Sequence, residues 1–306
     1  MRDIAFVFPG QGAQSVGMGR EFYELSGDAR RVFDKADQVI KGLSDVIFNG
    51  PPEKLTLTAF CQPAIFTMSV AALRAFQAHP KFQQVTVRYA AGLSLGEYSA
   101  LTACGALSFE DTLRLVERRS FFMEGATQLK KGKMAAVIGF DKEKLLEICR
   151  RTGTEVANFN TPEQIVITGE AEAVEKASQV IQEQGAKRVI PLDVSGAFHS
   201  SLMRPAVSQF EIELKKARFT SPTFPILSNV DAKPSTDPEY IRRNLASQIT
   251  SSVQWVDSIV CMAKEGVSDF LEVGPGNVLK GLIRKINPEL KVHNIRQPQD
   301  IEALPY

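Results

Sequence analysis

The pentapeptide Gly92-Leu93-Ser94-Leu95-Gly96 constrains this chain more than any other stretch. Residues 85–91 before it are rich in β-formers, and residues 97–106 after it run without proline, so the pattern predicts strand, sharp turn, helix. G-x-S-x-G in that setting is the signature of a turn that presents a nucleophilic serine. The glycines have a steric reason: the serine is held in a strained backbone conformation, and side chains two residues to either side would collide. The turn also puts the hydroxyl at a helix N-terminus, where unpaired N–H groups favour developing negative charge. A glycine-rich turn whose serine merely caps the helix fits the same five residues. The rest of the chain has to choose between the two.

The opening apolar run, residues 4–8, predicts a buried strand followed by the turn Pro9-Gly10-Gln11-Gly12. No Gly-Lys-Ser/Thr follows, as a Walker loop requires, and a dinucleotide fingerprint would need glycine where Ser15 stands. A glycine loop at the carboxyl end of a strand is where open α/β sheets place their sites, and the Gln11 N–H is a candidate oxyanion donor there. An ordinary strand-ending turn is the alternative. Residues 21–78 are helical in pattern, broken at Asn49-Gly50-Pro51-Pro52. Within them 62–76 is apolar on most sides and predicts a buried helix beside the central sheet, with Pro63 in its first turn.

Ser108-Phe109-Glu110-Asp111 opens a further helix with a capping-box-like start, running to about residue 124. Arg119 is its anomaly, because the positions three and four residues away are Leu115, Val116, Phe122 and Met123. A guanidinium on that face needs an anion. An internal salt bridge or a snorkelling side chain would meet the need.

Residues 133–194 change character. Strands at 133–140, 155–160, 164–169 and 186–194 enclose helices at 141–151 and 171–184. That β-α-β-β-α-β order is the ferredoxin-like unit, expected here as an insert over 126–195 in a larger α/β domain made of 1–125 and 196–306. Directly after it comes Ser195-Gly196-Ala197-Phe198-His199-Ser200, which holds one of only three histidines. Serine first and histidine later is a known order for a nucleophile and its base. No aspartate stands out as partner. Asp193 is near but faces the last strand of the insert, and a backbone or amide carbonyl could hold the imidazole instead. Helix is expected again at 242–249, and a strand at 270–273 ends in Gly274-Pro275-Gly276, extending the sheet.

Composition removes several function classes. Lys and Arg number 36 against 35 Asp and Glu, a net charge of +1, so no overall attraction draws nucleic acid or anionic membrane. The four cysteines are far apart, with no C-x-x-C and no histidine at metal spacing, which predicts a reducing compartment and no metal site. The N-terminal apolar run is too short for a signal peptide, and no stretch is expected to span a bilayer. A cytoplasmic protein is the expectation.

Phe8-Pro9-Gly10-Gln11-Gly12, Gly92 to Tyr98, Arg119 within Val116-Glu117-Arg118-Arg119, Ala197-Phe198-His199-Ser200 and Glu272-Val273-Gly274-Pro275-Gly276 occur in this order over essentially the whole chain. Together they resemble the malonyl-CoA:acyl carrier protein transacylase family. The resemblance implies an α/β-hydrolase-like large domain with the ferredoxin-like insert. It implies Ser94 as nucleophile, His199 as base oriented by the Gln248 carbonyl, and the Gln11 and Leu95 N–H groups as oxyanion hole. Arg119 would pair with the malonyl carboxylate, with Phe198, Met123 and Asn160 also binding substrate; Ala-Phe-His resembles malonyl-selective members.

The implied chemistry needs no cofactor and no metal. The substrate is malonyl-CoA, and the phosphopantetheine is carried by the partner, an acyl carrier protein serving fatty acid biosynthesis. A monomer is expected. Carrier proteins are acidic, so Lys130-Lys131-Lys133, Lys187-Arg188 and Arg284-Lys285 are candidate docking groups. The family usually has histidine before the serine, where this chain has Leu93; activation by His199 is expected to survive the change. A stand-alone polyketide acyltransferase, a serine thioesterase or hydrolase on the same elbow, and a non-catalytic carrier-binding scaffold are the rival functions.

Overall fold

The computed structural model describes residues 1–306, in a mixed α/β fold built on two sheets. The strands, in chain order, are β1 (Arg2–Phe8), β2 (Val85–Gly92), β3 (Gly132–Ile138), β4 (Glu155–Thr161), β5 (Gln164–Glu170), β6 (Arg188–Pro191), β7 (Ile226–Leu227), β8 (Pro234–Ser235), β9 (Asp269–Val273) and β10 (Lys291–Ile295). The larger sheet has the order β10-β9-β1-β2-β7-β8 and is parallel except for the final β7–β8 pair. Strand β1 lies inside it, and Ile4 to Phe8 are wholly buried. Helices cover both faces, so the strand is apolar at every position instead of alternating.

Register places the site. Phe8 pairs with Gly92 and Val7 with Glu272, so β1, β2 and β9 end side by side. The loops after them, residues 9–12, 93–95 and 274–276, therefore share one edge of the sheet, at the carboxyl ends of its strands.

The helix beside the sheet is Thr58–Ala78, longer than the 62–76 expected, and Pro63 falls inside it instead of in the first turn. Its residues from Cys61 to Leu73 are buried without a break. In length and composition this helix could cross a bilayer, contrary to the expectation that none would, but it is enclosed within the fold and serves as a core helix. Helix Phe109–Leu129 packs against it and extends about five residues past the expected end; the Ser108 Oγ caps its start by accepting from the Asp111 N–H at 3.1 Å.

The smaller sheet has the order β4-β5-β3-β6 with every neighbouring pair antiparallel. Helices Lys142–Thr152 and Ala171–Glu183 connect β3 to β4 and β5 to β6, and their apolar faces close a separate small core with Ile165, Ile167 and Val137. Strand β6 is shorter than the 186–194 expected. Pro191 has no N–H to give the ladder, and after one more bond, Leu192 N–H to Met134 O, the chain turns away.

Candidate active site

The elbow is where sequence and backbone strain meet. Ser94 has φ +52°, a left-handed conformation that costs a non-glycine residue on the order of 1–3 kcal/mol. A Cβ on Gly92 would lie 1.8 Å from the carbonyl carbon of Gly96, and one on Gly96 would lie 2.0 Å from the Phe8 oxygen. No side chain fits at either position. Asn229 braces the strained residue from both sides: its Oδ1 accepts from the Ser94 N–H at 2.7 Å and its Nδ2 donates to the Gly92 carbonyl at 2.7 Å.

His199 meets this serine from the return after the small sheet. The Ser94 hydroxyl donates to His199 Nε2 at 2.8 Å, and Nδ1–H is shared between the carbonyls of Gln248 at 2.9 Å and Ser251 at 3.1 Å. Two acceptors on Nδ1 fix the tautomer that leaves Nε2 free to take a proton. No aspartate takes part. Burial, and then the charge of Arg119, push the imidazole down to about 4, while the two carbonyls pull it the other way.

Arg119 is 1% exposed, yet no carboxylate forms a salt bridge with it. Its Nη1 donates to Gln62 Oε1 at 2.7 Å, and its Nη2 to Gln248 Oε1 and Ser94 Oγ, both at 3.0 Å. The guanidinium lies 5.4 Å from the Tyr98 ring centroid, a favourable cation–π placement. Glu97 is linked to it through the Gln248 amide, whose Nε2 donates to Glu97 Oε2 at 2.7 Å and to the Ser94 carbonyl at 3.0 Å. Burial raises the Glu97 carboxyl to about 7, against the lowering effects of Gln248, Asn229 and Arg119. Neither an internal salt bridge nor snorkelling accounts for Arg119. It is a buried cation aimed at the Ser94 hydroxyl and held by neutral amides.

Gln11 and Leu95 donate their N–H groups to no acceptor in the protein. The loop bearing Gln11 is pressed on the elbow: a Cβ on Gly10 would lie 2.5 Å from the Leu93 carbonyl oxygen. A free amide on the residue after the strained serine, and another on the loop packed against the elbow, are donors an oxyanion hole could use.

Residues 5–295 match the acyl transferase domain family. The chain is 45% identical to the malonyl CoA-acyl carrier protein transacylase of Bacillus subtilis, over 99% of this chain and 96% of the relative. The chain belongs to the malonyl-CoA:acyl carrier protein transacylase family. The Escherichia coli K12 member is 40% identical over 99% of both chains. Among solved structures, the acyl-carrier-protein-S-malonyltransferase of Bartonella henselae superposes with a TM-score of 0.94 at 42% identity, covering 99% of this chain and 98% of that one. A malonyl-transacylase in complex with its type II polyketide acyl carrier protein superposes equally well, at 0.94 and 36% identity over 98% of each chain.

The other expected residues of this transacylase-family chain sit at different removes from the serine. Met123 is buried one helical turn beyond Arg119. Phe198 precedes His199, and its carbonyl accepts from Thr168 Oγ1 at 3.0 Å. Asn160 is a buried β4 residue whose Oδ1 has no partner, and it makes no hydrogen bond to Ser94, His199, Arg119 or Gln248. Leu93 is half-buried against the apolar layer that includes Trp255 and Val253. Sequence reasoning missed Gln62, Glu97, Asn229, Ser251 and the role of the Gln248 side chain. The one signal for Gln62 was a polar residue in a run buried on all sides.

The depressed His199 pKa fixes a sign. A base works only when neutral, and a pKa near 4 keeps it neutral far below the 6.5 of free imidazole. Acylation of Ser94 by an acetyl thioester, which has no carboxylate for Arg119, is expected to hold its rate as pH falls from 8 to about 5 and to decline only as pH approaches 4. Pre-steady-state acylation against pH measures it; a decline centred near 6.5 would contradict the buried neutral imidazole.

Proposed function

We propose that this protein transfers a malonyl group from malonyl-CoA to the phosphopantetheine thiol of an acyl carrier protein, through a malonyl ester on Ser94, in fatty acid biosynthesis. The observation that carries this is Arg119: a buried cation with no carboxylate in direct contact, 3.0 Å from the hydroxyl that would bear the acyl group. A carboxylate two carbons from the ester carbonyl is the anion such a site selects, because bidentate guanidinium pairing is both strong and directional.

The residues supply each step. His199 Nε2 takes the Ser94 proton as Oγ attacks the thioester carbonyl. The resulting oxyanion sits between the Gln11 and Leu95 N–H groups, and collapse expels the coenzyme A thiolate, which regains a proton from Nε2. The carrier thiol then gives its proton to His199 and attacks the ester, and Ser94 recovers its hydrogen as it leaves. Gln62 and Gln248 hold the guanidinium in place until the carboxylate arrives. Phe198, Met123 and Asn160 are assigned to substrate binding. The scheme uses no cofactor, since the phosphopantetheine arrives on the carrier.

An α/β-hydrolase-like domain (1–125 and 196–306) carrying a ferredoxin-like insert (126–195) is supported by the β4-β5-β3-β6 strand order and by the G-x-S-x-G turn. Four free cysteines, three of them buried, fit a reducing, cytoplasmic setting. For the carrier, Arg284 and Lys285 are favoured over the other basic groups. Both lack ion-pair partners, whereas the other groups keep only Lys131 and Arg188 free, since Lys130, Lys133 and Lys187 are engaged by Glu170, Glu175 and Glu163.

A hydrolase would use the same elbow, with water as second acceptor. With the malonyl-enzyme isolated, a phosphopantetheine-bearing carrier protein is expected to discharge it within the time of a turnover while buffer leaves it largely intact. Equal rates of discharge with and without carrier would make the protein a hydrolase.

A further inference from the structure

His199 has φ +58°, so the base is as strained as the nucleophile, and something must hold it there. Three strands of the small sheet converge on its loop. Thr168 on β5, itself wholly buried, donates its hydroxyl to the carbonyl of Phe198, the residue before the base, at 3.0 Å. Glu155 at the start of β4 accepts from both the N–H and the hydroxyl of Ser201, two residues after it, at 2.8 and 2.6 Å. Gly132 of β3 presses on Ala197 so closely that a Cβ there would lie 2.5 Å from the alanine methyl. The same β4 also binds the segment that orients the imidazole. Val253 donates to the Ala157 carbonyl at 2.8 Å and accepts from the Phe159 N–H at 2.9 Å. Ser251, two residues upstream, supplies one of the two carbonyls on His199 Nδ1.

We propose that the small sheet is the mould for the catalytic base, with Thr168 and Glu155 as positioning residues that clamp the backbone on either side of His199. This rests on the assignment of His199 as the base. An ordinary interface between two sheets would spread its polar contacts along the joint. Here they fall on residues 198 and 201 and on the segment carrying Ser251, which together fix the ring's place and rotation. The small unit thus contributes to the chemistry through geometry, although neither residue touches substrate.

Thr168→Val keeps the shape and removes the donor, leaving the buried Phe198 carbonyl unpaired. Misplacing a catalytic group by a fraction of an ångström lowers the chemical step and not binding. The kcat of Ser94 acylation is expected to fall about tenfold with malonyl-CoA and acetyl-CoA alike, with KM for malonyl-CoA within about twofold of wild type. Thr168→Ser, which restores the hydroxyl, is expected to recover kcat to within about twofold. Glu155→Ala, at a half-buried position that does not endanger folding, is expected to lower kcat about threefold in the same pattern, and it decides the matter if Thr168→Val does not fold.

A change confined to KM, or a serine variant no better than the valine one, would overturn the proposal. So would unaltered kcat in the valine variant, or in Glu155→Ala where that variant decides. His199→Ala separates the two levels. If it abolishes acylation while the Thr168 variants stay normal, the positioning claim falls and the base assignment stands. If acylation survives in it, both fall.

Discussion

Arg119→Ala is expected to lower kcat/KM for malonyl transfer by about 2–5 kcal/mol, with acetyl transfer changed much less. The size follows from where the charge sits. The guanidinium is fully enclosed, and its partners are the amide oxygens of Gln62 and Gln248 and the Ser94 hydroxyl. Neutral amides solvate a buried cation less well than a carboxylate does, so the acyl carboxylate gains a full charge–charge interaction in a dry setting. Acetyl has nothing to offer that cation. Its transfer should suffer only from the lost 3.0 Å contact to Ser94 Oγ and from two amides left without a donor. Arg119→Lys should rescue little, because an ammonium cannot make the paired contacts of a planar fork. Steady-state kcat/KM for both thioesters measures the difference. Equal losses for malonyl and acetyl would mean that Arg119 supports the fold of the site and does not choose the substrate.

Much of this site was legible because steric necessity leaves marks in sequence. Gly92 and Gly96 are glycines since a strand and a helix cross within 2.0 Å of where their side chains would be. Arg119 stood out as a charge with only apolar neighbours at helical spacing, and its burial follows from that. Its partners were not legible. Gln62 and Gln248 come from helices 57 and 129 residues away, and an amide pointing inward has no periodicity of its own. Asn229 and Ser251 act from loops, where one polar residue looks like any other.

The small sheet was easier, because alternating strands and amphipathic helices over residues 133–194 leave strong periods. Its last strand was overextended, since the alternation runs past Pro191, after which only Leu192 still bonds to β3 before the chain turns away. Strands β7 and β8, two residues each, are too short to have a period. In β10, Lys-Val-His-Asn-Ile is too polar to read as sheet, although Val292 and Ile295 are buried. Pro63 was placed in a first turn because apolar periodicity begins near Gln62; the helix starts one turn earlier, at Thr58, whose hydroxyl pairs with that of Ser195 at 3.2 Å.

Replacing Ser94 should have the largest effect of all. Ser94→Ala removes the atom that would hold the acyl group and leaves His199 Nε2 with nothing to deprotonate. When a serine and its base act as a unit, loss of the serine costs on the order of 10⁶-fold in turnover. The Asn229 brace and the Gln248 links run to the backbone of residue 94, so the fold of the elbow should survive the change. Intact-mass measurement after brief mixing with malonyl-CoA tests this most directly. The wild-type chain should gain the mass of one malonyl group, located on Ser94 by peptide mapping, and the Ser94→Ala chain should gain none. An unmodified wild-type chain, or a malonyl group retained by the alanine variant, would contradict the account.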